Sequence, residues 1–100
     1  MIRGTTPVHT IKIPISTSLI NRLVITYKQG KNTVLEKRET DVEYDSKSIS
    51  WKLSQQETLG FEDGVVANIQ IRIKTVSGDV WNNKNPIRIQ IYDSFNTEVL

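Results

Sequence analysis

A chain of 100 residues with 37% hydrophobic and 24% charged side chains has room for one continuous apolar core and not for two, so it reads as one domain, 1–100. It contains no Cys, which excludes a disulfide framework, a thiolate nucleophile and any Cys-based zinc or iron–sulfur site, and leaves stability to packing. Thirteen Lys and Arg against eleven Asp and Glu give a formal charge of +2, too near balance to imply nucleic acid or a membrane as a partner.

Along the chain, Met1 to Pro7 carries one basic residue and no apolar run of signal-peptide length, so export by the general pathway is not expected. No stretch approaches the roughly 18 apolar residues of a membrane span. Ile11, Ile13 and Ile15 alternate with Lys12 and Pro14, a strand that Pro14 restricts to an edge or a bulge because proline cannot donate to the ladder. Leu23, Ile25 and Tyr27 alternate with Val24, Thr26 and Lys28, and Gln29-Gly30-Lys31-Asn32 can close a hairpin into 33–37. The 33–44 stretch has little alternation to fix its register and predicts a bulge or an edge strand. Asp45-Ser46-Lys47 can turn 42–44 into the strand of Ile49, Trp51 and Leu53.

Ser54-Gln55-Gln56-Glu57 has the spacing of a capping box, with Gly60 to end it, and predicts one short helical turn near residues 55–60 that places Leu59 and Phe61 against an open end of the core. The strongest periodicity follows. Val65, Ala67, Ile69, Ile71, Ile73 and Thr75 form one dry row and Asn68, Gln70, Arg72 and Lys74 a wet one, which predicts a central strand. Ser77-Gly78-Asp79 turns the chain into Val80-Trp81, and Ile87, Ile89 and Ile91 alternate with Arg88 and Gln90. Charged residues opposite apolar ones argue for antiparallel sheets with one solvated face. The fold read from these elements is an all-β antiparallel sandwich of about seven strands, with Ile11, Ile13, Leu23, Ile25, Ile49, Trp51, Leu53, Phe61, Ile69, Ile71, Ile73, Ile87, Ile89 and Ile91 as its core.

No catalytic constellation is expected. His9 is the single histidine, and Thr10, Ser16 and Ser18 near it do not form a nucleophile elbow. Glu39, Asp41, Glu43 and Asp45 would share a face if that stretch were extended, but they lack the ordered ligand spacing of a calcium loop, so no metal and no cofactor is expected. Lys52, Arg72, Lys74 and Arg88 would form one wet patch if their strands paired, read as a solvated or inter-subunit face and not as a nucleic-acid site. Trp51 shares a face with Ile49 and Leu53 and belongs to the core. Trp81, before the polar turn Asn82 to Asn85, either caps the core rim or stands out as a contact residue.

The opening Met1-Ile2-Arg3-Gly4-Thr5-Thr6-Pro7, the strand Ile11 to Ile15, the step Ser18-Leu19-Ile20, the segment 53–58, Phe61, Gly64 and the strand Ile69-Gln70-Ile71-Arg72 together resemble small structural or assembly proteins encoded in phages and prophages of Gram-positive bacteria. The resemblance covers most of the chain and implies an immunoglobulin-like sandwich. It further implies a non-enzymatic virion or assembly component of the tail or head–tail region, present in the virion or, during assembly, in the host cytoplasm. The partners implied are other phage structural proteins or a second copy, without nucleic acid or membrane. The contact surface expected is Arg3, Thr5, Thr6 and Trp81, with residues 1–9 flexible or exchanged between subunits. The alternative function is a stand-alone carbohydrate- or ligand-binding sandwich module that uses Trp81.

Overall fold

The alternation that starts at Val65 becomes strand β6, Ala67–Thr75, whose odd residues are all buried and whose even residues are half-buried or exposed. A computed structural model describing residues 1–100 places seven further strands around it. They are β1 Val8–Lys12, β2 Ile20–Gln29, β3 Asn32–Arg38, β4 Glu43–Asp45, β5 Ser48–Lys52, β7 Val80–Asn82 and β8 Ile87–Ile89. They make two antiparallel sheets: a small one in the order β1-β5-β4, and a large one in the order β3-β2-β6 with β7 and β8 end to end along the far edge of β6. The architecture is an all-β, two-sheet sandwich. Its eight strands agree with the expectation of about seven, and the two separate segments at Val80–Asn82 and Ile87–Ile89 lie end to end along β6.

Pairing puts Leu23 opposite Ile73, Ile25 opposite Ile71 and Tyr27 opposite Ile69, so the dry rows of β2 and β6 lie side by side. That inward phase runs on to Gln29, a buried amide. Its Nε2 donates to the Glu62 and Val65 carbonyls at 2.8 and 2.9 Å, and its Oε1 accepts from the Glu62 amide at 2.7 Å, so the loop entering β6 is tied to the end of β2. The β2–β3 hairpin turns at Gly30, whose φ of 61° lies in the left-handed region that glycine enters without a Cβ clash. Leu35 faces Tyr27 while Thr33 faces Lys28, so Val34 is the extra residue of a bulge in an edge strand.

Strand β1 is an edge of the small sheet and ends at Lys12. Its last ladder contact, the Ile13 amide donating to the Lys47 carbonyl at 2.9 Å, precedes Pro14. One of the three links between the sheets, β5 to β6, runs through helix α1, Gln55–Leu59. There Ser54 Oγ accepts from the Glu57 amide at 3.1 Å and Glu57 Oε1 accepts from the Ser54 amide at 2.8 Å, closing the capping box. No helix is long and apolar enough to cross a membrane.

The core lies between the sheets. Ile13, Leu23, Ile25, Ile49, Trp51, Leu53, Phe61, Ile69, Ile71, Ile73 and Ile91 are buried in it. Ile11, Ile87 and Ile89, expected there as well, are only partly covered, because β1 and β8 are outer strands with a neighbour on one side alone. Tyr27, Val42 and Ala67 join the buried set.

The N-terminal segment, expected to be loose or exchanged, is bound within its own chain. The Arg3 amide donates to the Tyr92 carbonyl and the Tyr92 amide to the Met1 carbonyl, both at 2.9 Å. Thr58, fully buried in α1, accepts from the Gly4 amide and donates to the Thr5 carbonyl, each at 2.9 Å. The Leu53 amide donates to the Pro7 carbonyl at 3.0 Å, and β1 begins one residue later. A buried hydroxyl and three backbone contacts supply the order that the Thr-rich sequence does not signal.

Candidate interaction surface

The even residues of β2 from Arg22 onward and of β6 project from the outer side of the large sheet, and strand pairing brings their charges together. Arg22 stands opposite Lys74, Val24 opposite both Arg72 and Arg38, and Lys28 opposite Asn68, which also faces Arg88. With Lys84, seven of the 13 basic side chains stand on this face, against two carboxylates of the 11. Both carboxylates are taken. Glu36 pairs with Arg38 at 3.0 Å and Glu39 with Arg22 at 3.2 Å. Amide donors at Glu39 itself and at Leu23 hold the Glu39 carboxyl below its ordinary pKa. Arg72 and Lys74 have no ion-pair partner.

These residues frame a shallow depression of about 250 Å³, floored by Val24 and the backbone of Leu23 and Ile73 and edged by Arg22, Arg38, Arg72, Lys74 and Val80. Like charges placed opposite one another on paired strands repel, and a docked anionic group relieves that repulsion. A second depression on the same face, about 260 Å³, is lined by Thr26, Lys28, Asn68, Gln70, Asn83 and Lys84 among others. Asn83 ties down the β6 edge of this face. Its Oδ1 accepts from the Ile71 amide at 2.7 Å and its Nδ2 donates to the Ile69 and Asn85 carbonyls at 3.3 and 2.8 Å, filling the gap between β7 and β8 on the β6 edge.

The basic patch therefore differs in membership from the one expected. Arg72, Lys74 and Arg88 share a face, but Lys52 belongs to β5 in the other sheet, and Arg22, Lys28 and Arg38 take part instead. The even phase of β2 was a usable signal for Arg22 and Lys28. Arg38 becomes a neighbour only through the β3 bulge. The acidic series does not share a face, because Glu39–Asp41 is a 3-10 turn in which the Asp41 carboxylate accepts from the Arg38 amide at 2.8 Å. No three His, Cys, Asp or Glu side chains converge as a metal-ion set.

Among the expected contact residues, Thr5 and Thr6 are exposed. Arg3 is engaged internally, with Nη1 2.7 Å from Asp93 and Nη2 donating to the Leu59 carbonyl at 3.0 Å. Trp81 is half-buried, stands opposite Ile73 and packs against the core, so it caps the core rim rather than offering a free stacking platform.

His9 lies on β1 with its Nδ1 2.5 Å from the Tyr27 hydroxyl, which also accepts from Trp51 Nε1 at 2.6 Å. With the indole donating, the phenol proton is free to point at His9, which makes Nδ1 the acceptor and the imidazole neutral. Burial, and secondarily the positive amino terminus, lower the His9 pKa below its ordinary 6.5. Burial pushes the Tyr27 phenol up, so it stays protonated. Because the folded His9 binds a proton less readily than the unfolded one, its contribution is whole above about pH 6.5 and is lost as pH falls from there to the lowered folded value. The urea midpoint is accordingly expected to drop between about pH 7.5 and pH 5.5, and His9→Gln, which does not titrate, to flatten that slope. Equal slopes in the two proteins would show that His9 does not carry the effect. Lys37 on β3 lies 2.7 Å from Glu57 of α1. Burial tends to raise the Glu57 pKa, but Lys37 and the Ser54 amide outweigh it and hold the carboxyl below its usual value.

No protein-family model, no curated protein and no solved structure matches this chain.

Proposed function

We propose that the domain is a non-enzymatic structural or assembly component of a phage or prophage particle, of its tail or head–tail region, working through protein–protein contacts with other virion proteins or with itself. The phage setting rests on the ordered sequence resemblance. The mode of action rests on the outer face of the large sheet, where unpaired Arg72 and Lys74 adjoin the apolar Val24 and exposed Val80 around a shallow depression. Apolar contacts ringed by arginine and other charges on an open sheet face are the composition of a protein interface. Small-molecule sites are instead enclosed and bury most of their ligand. The domain then belongs in the virion and, during assembly, in the host cytoplasm. The test is mass spectrometry of particles released by cells that carry the gene. The chain is expected at a fixed ratio to the major tail or capsid protein. A chain expressed in those cells but absent from both particles and assembly intermediates overturns the reading.

A further inference from the structure

The exposed large apolar side chains gather mainly at two poles. Leu19, Val76 and Val80 sit at the Thr75 end of β6, beside the cationic depression, with the Val76 amide donating to the Leu19 carbonyl at 2.9 Å. Tyr92, Phe95, Val99 and Leu100 sit in the segment that leaves the sheet after Ile91, at the opposite end of β6, where the Gly64 amide donates to the Ile91 carbonyl at 3.2 Å. Phe95 is fully exposed, and Glu98 in the same segment has no cationic partner. One pole is apolar with free cations and the other apolar with a free carboxylate.

We propose that residues 94–100 of one chain dock on the cationic depression of a second copy, with Glu98 at Arg72 and Lys74 and with Phe95 against Val80 and its apolar neighbours. The chains then associate head to tail. The segment is available for this. Its end is hydrogen-bonded to half-buried Gln55, through Leu100 bonds of 2.7 and 3.1 Å at the surface that water can replace at little cost. A second copy fits as the occupant because its Glu98 and Phe95 match the free cations and the exposed valine in charge and in apolar character. A contact between two different patches is heterologous, so it propagates into a ring or an open filament and does not stop at a symmetric dimer. This inference rests on the reading of the domain as an assembly component and names its partner surface.

The test is light scattering of the full chain over a range from about 1 µM to about 1 mM, which brackets contacts of modest affinity. The wild-type mass is expected to rise at least about twofold across the range and to fall back at high salt, where the Debye length is a few ångströms. Phe95→Ser with Glu98→Gln removes the donor end, and Arg72→Gln with Lys74→Gln removes the acceptor end. All four positions are exposed, and unchanged circular dichroism confirms folding. Each double variant alone should remain at the mass of one chain. Mixed, they should give a species of two chains and no more, since one keeps its groove and the other its tail. A wild type that stays at one chain, a variant that associates like wild type, or a mixture without the two-chain species each overturns the proposal. If the wild type stays at one chain and the acceptor variant instead loses retention on heparin, the depression serves a polyanion. Presence of the chain in particles without self-association would leave the proposed function standing while this inference falls, and the converse result would separate them the other way.

Discussion

Replacing Ile71 with Ala is expected to lower the unfolding free energy by about 2–5 kcal/mol, the range for removing most of a large aliphatic side chain from a core that closes only partly around the gap. Ile71 is wholly buried at the middle of the central strand, opposite the equally buried Ile25. Its amide and carbonyl are fixed on the other side by Asn83, so the backbone is restrained from moving in to fill the space. A domain of this size has a net stability of roughly 5–10 kcal/mol, so the loss reaches a large fraction of the whole. The neighbouring Gln70 lies on the wet row, and Gln70→Ala should stay within about 0.5 kcal/mol of wild type. Urea denaturation of the two variants is the measurement. Comparable losses for both would contradict the assignment of faces on which the sandwich depends.

Tyr27→Phe is expected to cost about 1–3 kcal/mol although it deletes one oxygen. The Tyr27 ring keeps its packing in the variant, edge-on to Phe61 with centroids 5.6 Å apart and stacked with His9 at 5.8 Å. What goes is the acceptor of the indole N–H of Trp51, a residue only 2% exposed, and no water can reach that donor without opening the space between the sheets. Tyr27 belongs to the large sheet and Trp51 to the small one, so this bond and the contact with His9 hold the two layers in register. A double-mutant cycle of Tyr27→Phe with Trp51→Phe should return a coupling above about 0.5 kcal/mol. Strict additivity would mean that the hydroxyl and the indole act independently and that the layers are fixed by packing alone.

The two substitutions mark different depths of legibility. Ile71 could be placed from the sequence, because a period of two with five apolar residues in phase has one burial solution on a pleated strand. The same logic placed Trp51 and the Ser54–Glu57 cap, whose partners are three residues apart and need no tertiary knowledge. Tyr27 shares the phase of Leu23 and Ile25 in the sequence, but it was not among the expected core residues. That its hydroxyl meets both Trp51 and His9 was not readable, since the three come from different strands and nothing local brings them together.

The candidate surface divides in the same manner. Periodicity assigned Arg72, Lys74 and Arg88 to a wet row, yet a row has no neighbours until its strand has partners. Pairing with β2 and the bulged β3 added Arg22 and Arg38, and removal of β5 to the other sheet took Lys52 away. The N-terminal segment looked unanchored because its ties run to Thr58 and Tyr92, more than fifty residues distant. By itself the sequence determined an all-β chain, the face buried by each clearly alternating strand and the short helix between β5 and β6, because those follow from local periodicity and caps. Tertiary structure alone decided which wet rows adjoin, which carboxylates neutralise which cations and where two unpaired charges remain beside exposed valine, because charge neighbourhood is a property of strand order and register, set by contacts distant in the chain.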